Sequence, residues 1–496
     1  MVVHMSTWNR PTTLVAGILA MLLTTTFALP ATAATPAARA ATGVTPTVEP
    51  DPIPEPRFQF TGYGTDHGVG LSQRGAAGRA AAGQTYEQIL RHYFYKVQIE
   101  PVPNGTTIRT LIVKSYRAAS TQTPLVSGGM GGPGKSQVSR WTFDTPGVDG
   151  QTFPNSWKLV LMGRGETGAW RLQVQDAKGV AKLSVTDTDA RLSVRGVPND
   201  ADPGRIRVLI RPSTRYDTYE GEVRIGRTNG RLRVVNVVGI EPFVRSVTPQ
   251  ELGPANLPET LKAQAVVARS YFLAGLGTTT TFLAFDVESY RDSQSYKGTK
   301  GENATVTRSV DATAFEVLKY KKSDGTWYIA RTFYHAVGGG ATEASQNVFT
   351  GATGKPGSKT AYLRGGPDVD QDGVPYDETA RDYEWSTRTF TLAQLSAILG
   401  ADSRTDVGTL TSWPIEAEST FRTKRAAALL AGGDPTPAPS NRGISGRLTW
   451  VVLKGTRNGK PVTREVAGWL FKSVFNRHRG SGDALGSTMI FRASAD

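Results

Sequence analysis

Three groups of residues in this chain have types and spacing that could do chemistry. Glu251 stands between Pro249 and Pro254, just ahead of a helical stretch. A carboxylate there can serve as a general acid and base. A carboxylate near a helix N-terminus is also favoured electrostatically without any chemistry, so residue type alone leaves both readings open. His67 and Gln73 lie in a glycine-punctuated segment, Gly64 to Ala76 (GTDHGVGLSQRGA). Close glycines let backbone approach a ligand, although a His in a tight turn also serves as an ordinary hydrogen-bonded residue. Asp368, Asp370 and Asp372, followed by Gly373, repeat the opening of a calcium-binding loop, which draws alternate side-chain oxygens inward. The twelfth position is Thr379 rather than a bidentate Glu, so Asp377 or Glu378 would have to close the shell. The alternative is a solvated acidic turn.

Other chemistry is excluded or poorly supplied. The 496 residues include no Cys and five His, which removes disulfides, thiolate metal sites and a thiol nucleophile. Neither H-E-x-x-H nor G-x-S-x-G occurs, so zinc-peptidase and serine-hydrolase motifs are missing. Gly129 to Ser136 (GMGGPGKS) matches a phosphate-binding loop letter for letter. That motif requires a helix behind it, and Gln137 to Phe143 alternates like a strand, so the segment reads as a glycine-rich loop.

The elements that must position these residues follow from periodicity. From about 100 to 240 polar and apolar residues alternate between Gly, Asp and Asn turns, the signature of strands. The best helix spans roughly 257–274, where Leu261, Ala265, Ala268 and Phe272 share one face. Asn256 and Glu259 resemble a capping box, with Pro258 in the first turn. A second helix is expected over 302–319, strands over 326–336 and a short helix over 391–400. At the N-terminus, Arg10, the apolar run 14–29 and Ala31-Thr32-Ala33 read as a secretory signal over 1–33, followed by a Pro/Ala-rich linker over 34–57. Secretion with no membrane span after cleavage is therefore expected. The net charge is +14. Outside the cell that favours anionic wall polymers over nucleic acid, and it also serves plain solubility.

The ordered blocks together resemble the SpoIID/LytB family. Val247 to Pro254 followed by Leu261 to Tyr271 (LKAQAVVARSY) is similar to its P-x-E loop and L-K-A-Q-A-x-x-A-R-x-Y helix. Asp292 to Gly298 with Glu302, Tyr334 to Glu343, and Gly64 to Ala76 resemble its D-x-x-Q-x-Y-x-G, Gly-Gly-x-Thr and His-Gly-Val-Gly blocks. The last of these normally closes the domain, whereas here it stands near the N-terminus, and Asp483 to Phe491 resembles the strand that usually precedes it. The order looks like a circular permutation, which places 58–75 beside 483–492. Asp66 and Leu71 depart from the family's usual Gly and Met, and the absence of Cys rules out the Cys/His zinc site of some relatives.

The resemblance implies an α+β fold, a SpoIID-like domain with a β-rich insertion. Its parts would be residues 58–100, the insertion 101–204, and 205–496. It implies a lytic transglycosylase that cleaves the MurNAc–GlcNAc bond of peptidoglycan and leaves 1,6-anhydro-MurNAc, with Glu251 as the catalytic acid and base. For that task Glu251 must hold a proton near neutral pH. His67, Gln73, Lys262, Gln264, Arg269, Tyr271, Gln294, Tyr296, Gly338, Gly339 and Thr342 would bind substrate, with Lys262 and Arg269 available for the lactyl carboxylate. No cofactor is required for catalysis; Asp368, Asp370, Asp372 and Asp377 would hold a structural calcium. The other reading is a non-catalytic, glycan-binding enhancer of a cell-wall amidase. A β-rich wall-binding module is a third.

Overall fold

The computed structural model describes residues 55–116, 123–128, 140–143, 150–154, 156–164, 170–187, 192–198, 203–211, 215–228, 231–253, 256–277, 281–289, 296–421, 441–480 and 484–495. The signal segment, most of the linker, the Gly129–Ser136 loop and Gln294 lie outside them. The described helices are α1 (Gln73–Ala81), α2 (Tyr86–Tyr93), α3 (Ile240–Leu252), α4 (Pro258–Leu273), α5 (Ala304–Asp311), α6 (Ser345–Val348), α7 (Leu392–Gly400) and α8 (Gly468–His478). With the strands they make a mixed α+β fold. Among the described residues no helix is long and apolar enough to cross a membrane.

The alternating stretch forms two sheets, one of six strands and one of seven. In the seven-stranded sheet Arg231–Gly239 pairs antiparallel with Thr107–Tyr116 and with Glu222–Thr228. Its inward residues, among them Ile108, Val194, Val223, Ile225, Val234 and Val238, share one core with Phe243, Val247, Leu261, Ala265 and Phe272 of α3 and α4. The last strand runs directly into α3, so the sheet fixes where α3 starts. Arg140–Phe143 is a strand, as the alternation there predicts.

The two helices differ from expectation in instructive ways. Glu251 is not in a loop. It occupies the last turn of α3, with Pro249 inside the helix. Gly253, at φ +82°, ends that helix, and the Asn256 side-chain amide donates to the carbonyls of Leu252 and Gly253. Asn256 thus caps the end of α3 rather than the start of α4, whose N-cap is Leu257 without a side-chain bond. Glu259 accepts from the Tyr86 backbone N–H and pairs with Lys262. The helix expected over 302–319 stops at Asp311, and Glu316–Lys321 is a strand between Val97–Pro101 and Trp327–Ile329.

The two ends of the described chain meet. Arg57–Tyr63 pairs antiparallel with Ile490–Ala495, in register from Arg57↔Ala495 to Gly62↔Ile490. Asp66 N–H donates to the Gly486 carbonyl at 3.1 Å, and Ser487 Oγ donates to the Tyr63 carbonyl at 2.7 Å. The expected contact between 58–75 and 483–492 is therefore present. From there Leu71–Ser72 pairs parallel with Tyr334–His335, and Ser72 caps α1 by accepting from the Gly75 N–H. Gly75 is required at its place: a Cβ there would meet Asp368 Oδ2 at 2.0 Å and the Tyr93 hydroxyl at 2.4 Å.

Candidate active site

The end of α3 presents Glu251, partly exposed, to a group of phenols. Tyr334 comes from the short strand beside the His-Gly-Val-Gly segment, and Tyr271 from the last turn of α4. Burial first, then the negative charge of Glu251 and the neighbouring Tyr271, push the Tyr334 phenol well above its ordinary range, so it stays protonated. Its buried hydroxyl has no hydrogen-bond partner among the described residues. Tyr271 is partly exposed and packs edge-on against Phe333 at 5.8 Å between ring centroids.

His67 lies further along the same side. Its ring sits 6.1 Å from Phe333, 6.0 Å from Phe349 and 5.7 Å from His335. Nδ1 accepts from the Val69 N–H at 3.0 Å. Burial, opposed by Asp66 and reinforced by Arg447 and Lys472, lowers its pKa to about 4, so the imidazole is neutral at pH 7. His335 is fully buried and neutral, chiefly from desolvation, and its Nε2 has no partner among the described residues. Lys472, on α8, donates to the Gly486 carbonyl at 2.6 Å. Burial drops its pKa to about 8, against the pull of Asp66.

Of the residues expected to bind substrate, Glu251, Tyr271 and His67 share this side. Most of the others do not. Arg269 is fully buried and forks onto Glu241, with Nε to Oε1 at 2.8 Å and Nη2 to Oε2 at 2.7 Å; its third nitrogen donates to the Glu316 carbonyl. That guanidinium fastens α4 to α3 and cannot reach a lactyl carboxylate. Tyr296 is buried too, stacked on Phe243 at 4.9 Å and donating to Asn236 Oδ1. Gln264 is fully buried between α1 and α4, where its Oε1 accepts from Gln73 at 3.4 Å. Lys262 is held by Glu259 at 2.7 Å. Gly338 N–H donates to Ser72 Oγ, and the Gly339 and Gly340 N–H groups both donate to the Asp377 carboxylate. Those amides are thus already satisfied. Thr342 is buried in the short strand pair with Gly366–Pro367.

The acidic loop does not assemble as a calcium shell. Asp368 is buried and accepts from Arg79 Nε at 2.8 Å and the Tyr93 hydroxyl at 2.6 Å. Asp377 is buried against the glycine turn. Asp370 Oδ1 accepts from the Asp372 and Val374 N–H groups, shaping a local turn, and Asp372 is exposed. Among the described residues no three acidic or His side chains converge to hold a metal. Spacing in the sequence shows which carboxylates are near one another, but not that distant amides and a guanidinium already occupy two of them.

Sequence reasoning missed Tyr334, Phe333, Phe349, Arg331 and Lys472. The run Arg331-Thr332-Phe333-Tyr334-His335 is the signal that could have found most of them: aromatic and cationic residues leading into a glycine turn.

Sheet and helix pair make an α+β protein, and the end of α3 places the Glu251 carboxylate near the Tyr334 phenol. Residues 228–320, which contain α3, Glu251 and α4, match the family model for SpoIID, stage II sporulation protein. The chain is also 35% identical over 131 residues to an uncharacterized protein of Brachyspira hyodysenteriae (strain ATCC 49526 / WA1), covering 26% of this chain and 34% of that one. It therefore spans about a third of the length of that curated relative.

Proposed function

We propose that this protein is a secreted lytic transglycosylase acting on peptidoglycan glycan strands, with Glu251 as its acid and base. The observation that carries the reading is the position of Glu251: inside the SpoIID segment, partly exposed, at the carboxyl end of α3 and beside the protonated phenol of Tyr334. The negative end of a helix dipole disfavours a carboxylate anion, which suits a group that must begin the reaction protonated. Glu251 gives its proton to the glycosidic oxygen as the C1–O bond of MurNAc breaks. The resulting carboxylate takes the proton from the C6 hydroxyl as O6 closes on C1. The acid is regenerated and an anhydro ring remains. A hydrolase needs a second carboxylate to supply or activate its nucleophile; here the sugar's own hydroxyl fills that role. The meeting of the chain ends supports a circularly permuted order of the family's blocks.

The test is digestion of purified glycan strands followed by mass spectrometry of the ends. Anhydro ends are expected. Ends heavier by one water would replace the reading with hydrolysis. Intact strands that still bind the protein would replace it with the amidase-enhancer reading.

A further inference from the structure

A line of rings leads away from Glu251. Tyr271 meets Phe333 at 5.8 Å, Phe333 meets Phe349 at 4.7 Å, and Phe349 meets His67 at 6.0 Å. All four residues are partly exposed, whereas the residues behind them, Val69, Leu71, Val267 and Tyr334, are buried. The stripe is the open edge of a core and not its interior.

Its two ends are cationic. Arg331 is exposed, and its guanidinium lies 5.3 Å from the Tyr271 ring centroid and 5.7 Å from that of Phe333. Lys472, partly exposed, stands near His67 at the far end, with Asp66 and Arg447 beside it. Arg447 is turned inward, donating to the Ala341 and Gly338 carbonyls, which leaves Lys472 as the cation nearer solvent. Immediately behind the stripe, the Tyr334 hydroxyl and His335 Nε2 are buried with no hydrogen-bond partner among the described residues. Buried polar atoms normally have partners, so two such atoms mark the ground behind this surface as polar.

We propose that Tyr271, Phe333, Phe349 and His67 form a wall that receives an anionic β-linked glycan strand, with Arg331 and Lys472 meeting its carboxylates at the two ends. Apolar sugar faces lie against the rings, and the cations select strands that carry carboxylates. The choice of glycan as occupant rests on the Glu251 reading, because the stripe continues from that carboxylate. It also gives the strand a direction, from the reacting bond at Glu251 toward α8.

The experiment uses the full secreted chain carrying Glu251→Gln, so that strands are not turned over. Binding is measured by calorimetry with two probes: peptide-trimmed peptidoglycan strands, and a neutral GlcNAc hexamer. Phe349→Ala should weaken binding of both probes by roughly tenfold, as loss of a central aromatic contact commonly costs more than 1 kcal/mol. Phe349→Trp should restore it. Arg331→Ala and Lys472→Ala should weaken the anionic strands several-fold and leave the hexamer unchanged. Because Arg331 is exposed, its variant tests the wall even if Phe349→Ala fails to fold. In folded Arg331→Ala and Lys472→Ala, unchanged affinity for the anionic strands would overturn the proposal, as would equal losses on strands and hexamer in these two variants. The catalytic reading is judged separately, on the ends produced by the unsubstituted chain.

Discussion

The carboxylates at the end of α3 and those of the 368–377 loop look alike in sequence and live in opposite surroundings. Both sets are acidic residues near prolines and glycines. Asp368 and Asp377 are surrounded by donors from far along the chain: Arg79 and Tyr93 for one, the amides of Gly339 and Gly340 for the other. Glu251 has protonated phenol as a neighbour and remains partly open to solvent. A carboxylate enclosed by donors joins parts of the fold, whereas one that stays partly open to solvent is accessible to a ligand. The difference is made by tertiary neighbours, not by residue type.

The largest expected effect separates these roles most sharply. Glu251→Gln keeps the size of the side chain and removes the transferable proton. Glycan cleavage should fall by ~10²–10⁴-fold or more, with the melting temperature little changed. Cleavage within a few-fold of the parent would place Glu251 with the structural carboxylates and end the comparison. Asp368→Asn should do the reverse. It leaves buried Arg79 without its counter-charge, and breaking a buried pair of this kind costs about 3–5 kcal/mol. Chemical denaturation should show that loss, with activity per folded molecule retained.

Much of the scaffold was legible and much of the site was not. The strands between Thr107 and Gly239 follow from alternation, and several of them turn apolar residues into the core that α3 and α4 share. The meeting of the chain ends followed from block order. Arg269 and Tyr296 misled because α4 and its surroundings are enclosed nearly all round: α4 buries Thr260, Gln264, Arg269 and Ser270 as well as its apolar residues. A helix buried on most faces turns its polar residues into internal connectors, and the donor for Glu241 lies 28 residues away in sequence. The run Arg331 to His335 flags Tyr334 as a candidate, but its neighbourhood with Glu251 is a tertiary fact that the sequence does not carry.

Glu302 extends the comparison to a third environment, a carboxylate facing another carboxylate. It lies with Glu220 among Arg205, Arg245 and Asp311. Burial first, and then Glu220, raise its pKa from 4.5 to about 7. In the unfolded chain it ionises near its ordinary value, so between about pH 4.5 and 7 the folded state binds more protons. The contribution of this group to stability is therefore complete at low pH and declines as pH rises through that window, by roughly 1–3 kcal/mol. Glu302→Gln should flatten the fall in melting temperature between pH 5 and 8. An unchanged pH profile would mean that Arg205 and Arg245 hold Glu302 ionised.

The smallest effects lie within the acidic loop itself, and they test its reading most directly. Asp370 Oδ1 accepts two backbone N–H bonds at 3.0 and 2.8 Å, and nothing in the turn is deeply buried. Asp370→Ala should cost about 0.5–1.5 kcal/mol, the usual net value of such bonds. Asp372 is exposed, and Asp372→Ala should stay within about 0.5 kcal/mol of the parent. A calcium shell would reverse this order: both substitutions would remove a ligand, and their costs would converge once the ion was present. Melting curves of the parent and the two variants, with and without millimolar calcium, distinguish the cases. Identical curves in each pair are expected, because Asp368 and Asp377 are engaged with Arg79, Tyr93 and the glycine amides. A calcium-dependent rise in the parent that Asp372→Ala abolishes would show that the loop can gather its carboxylates around an ion.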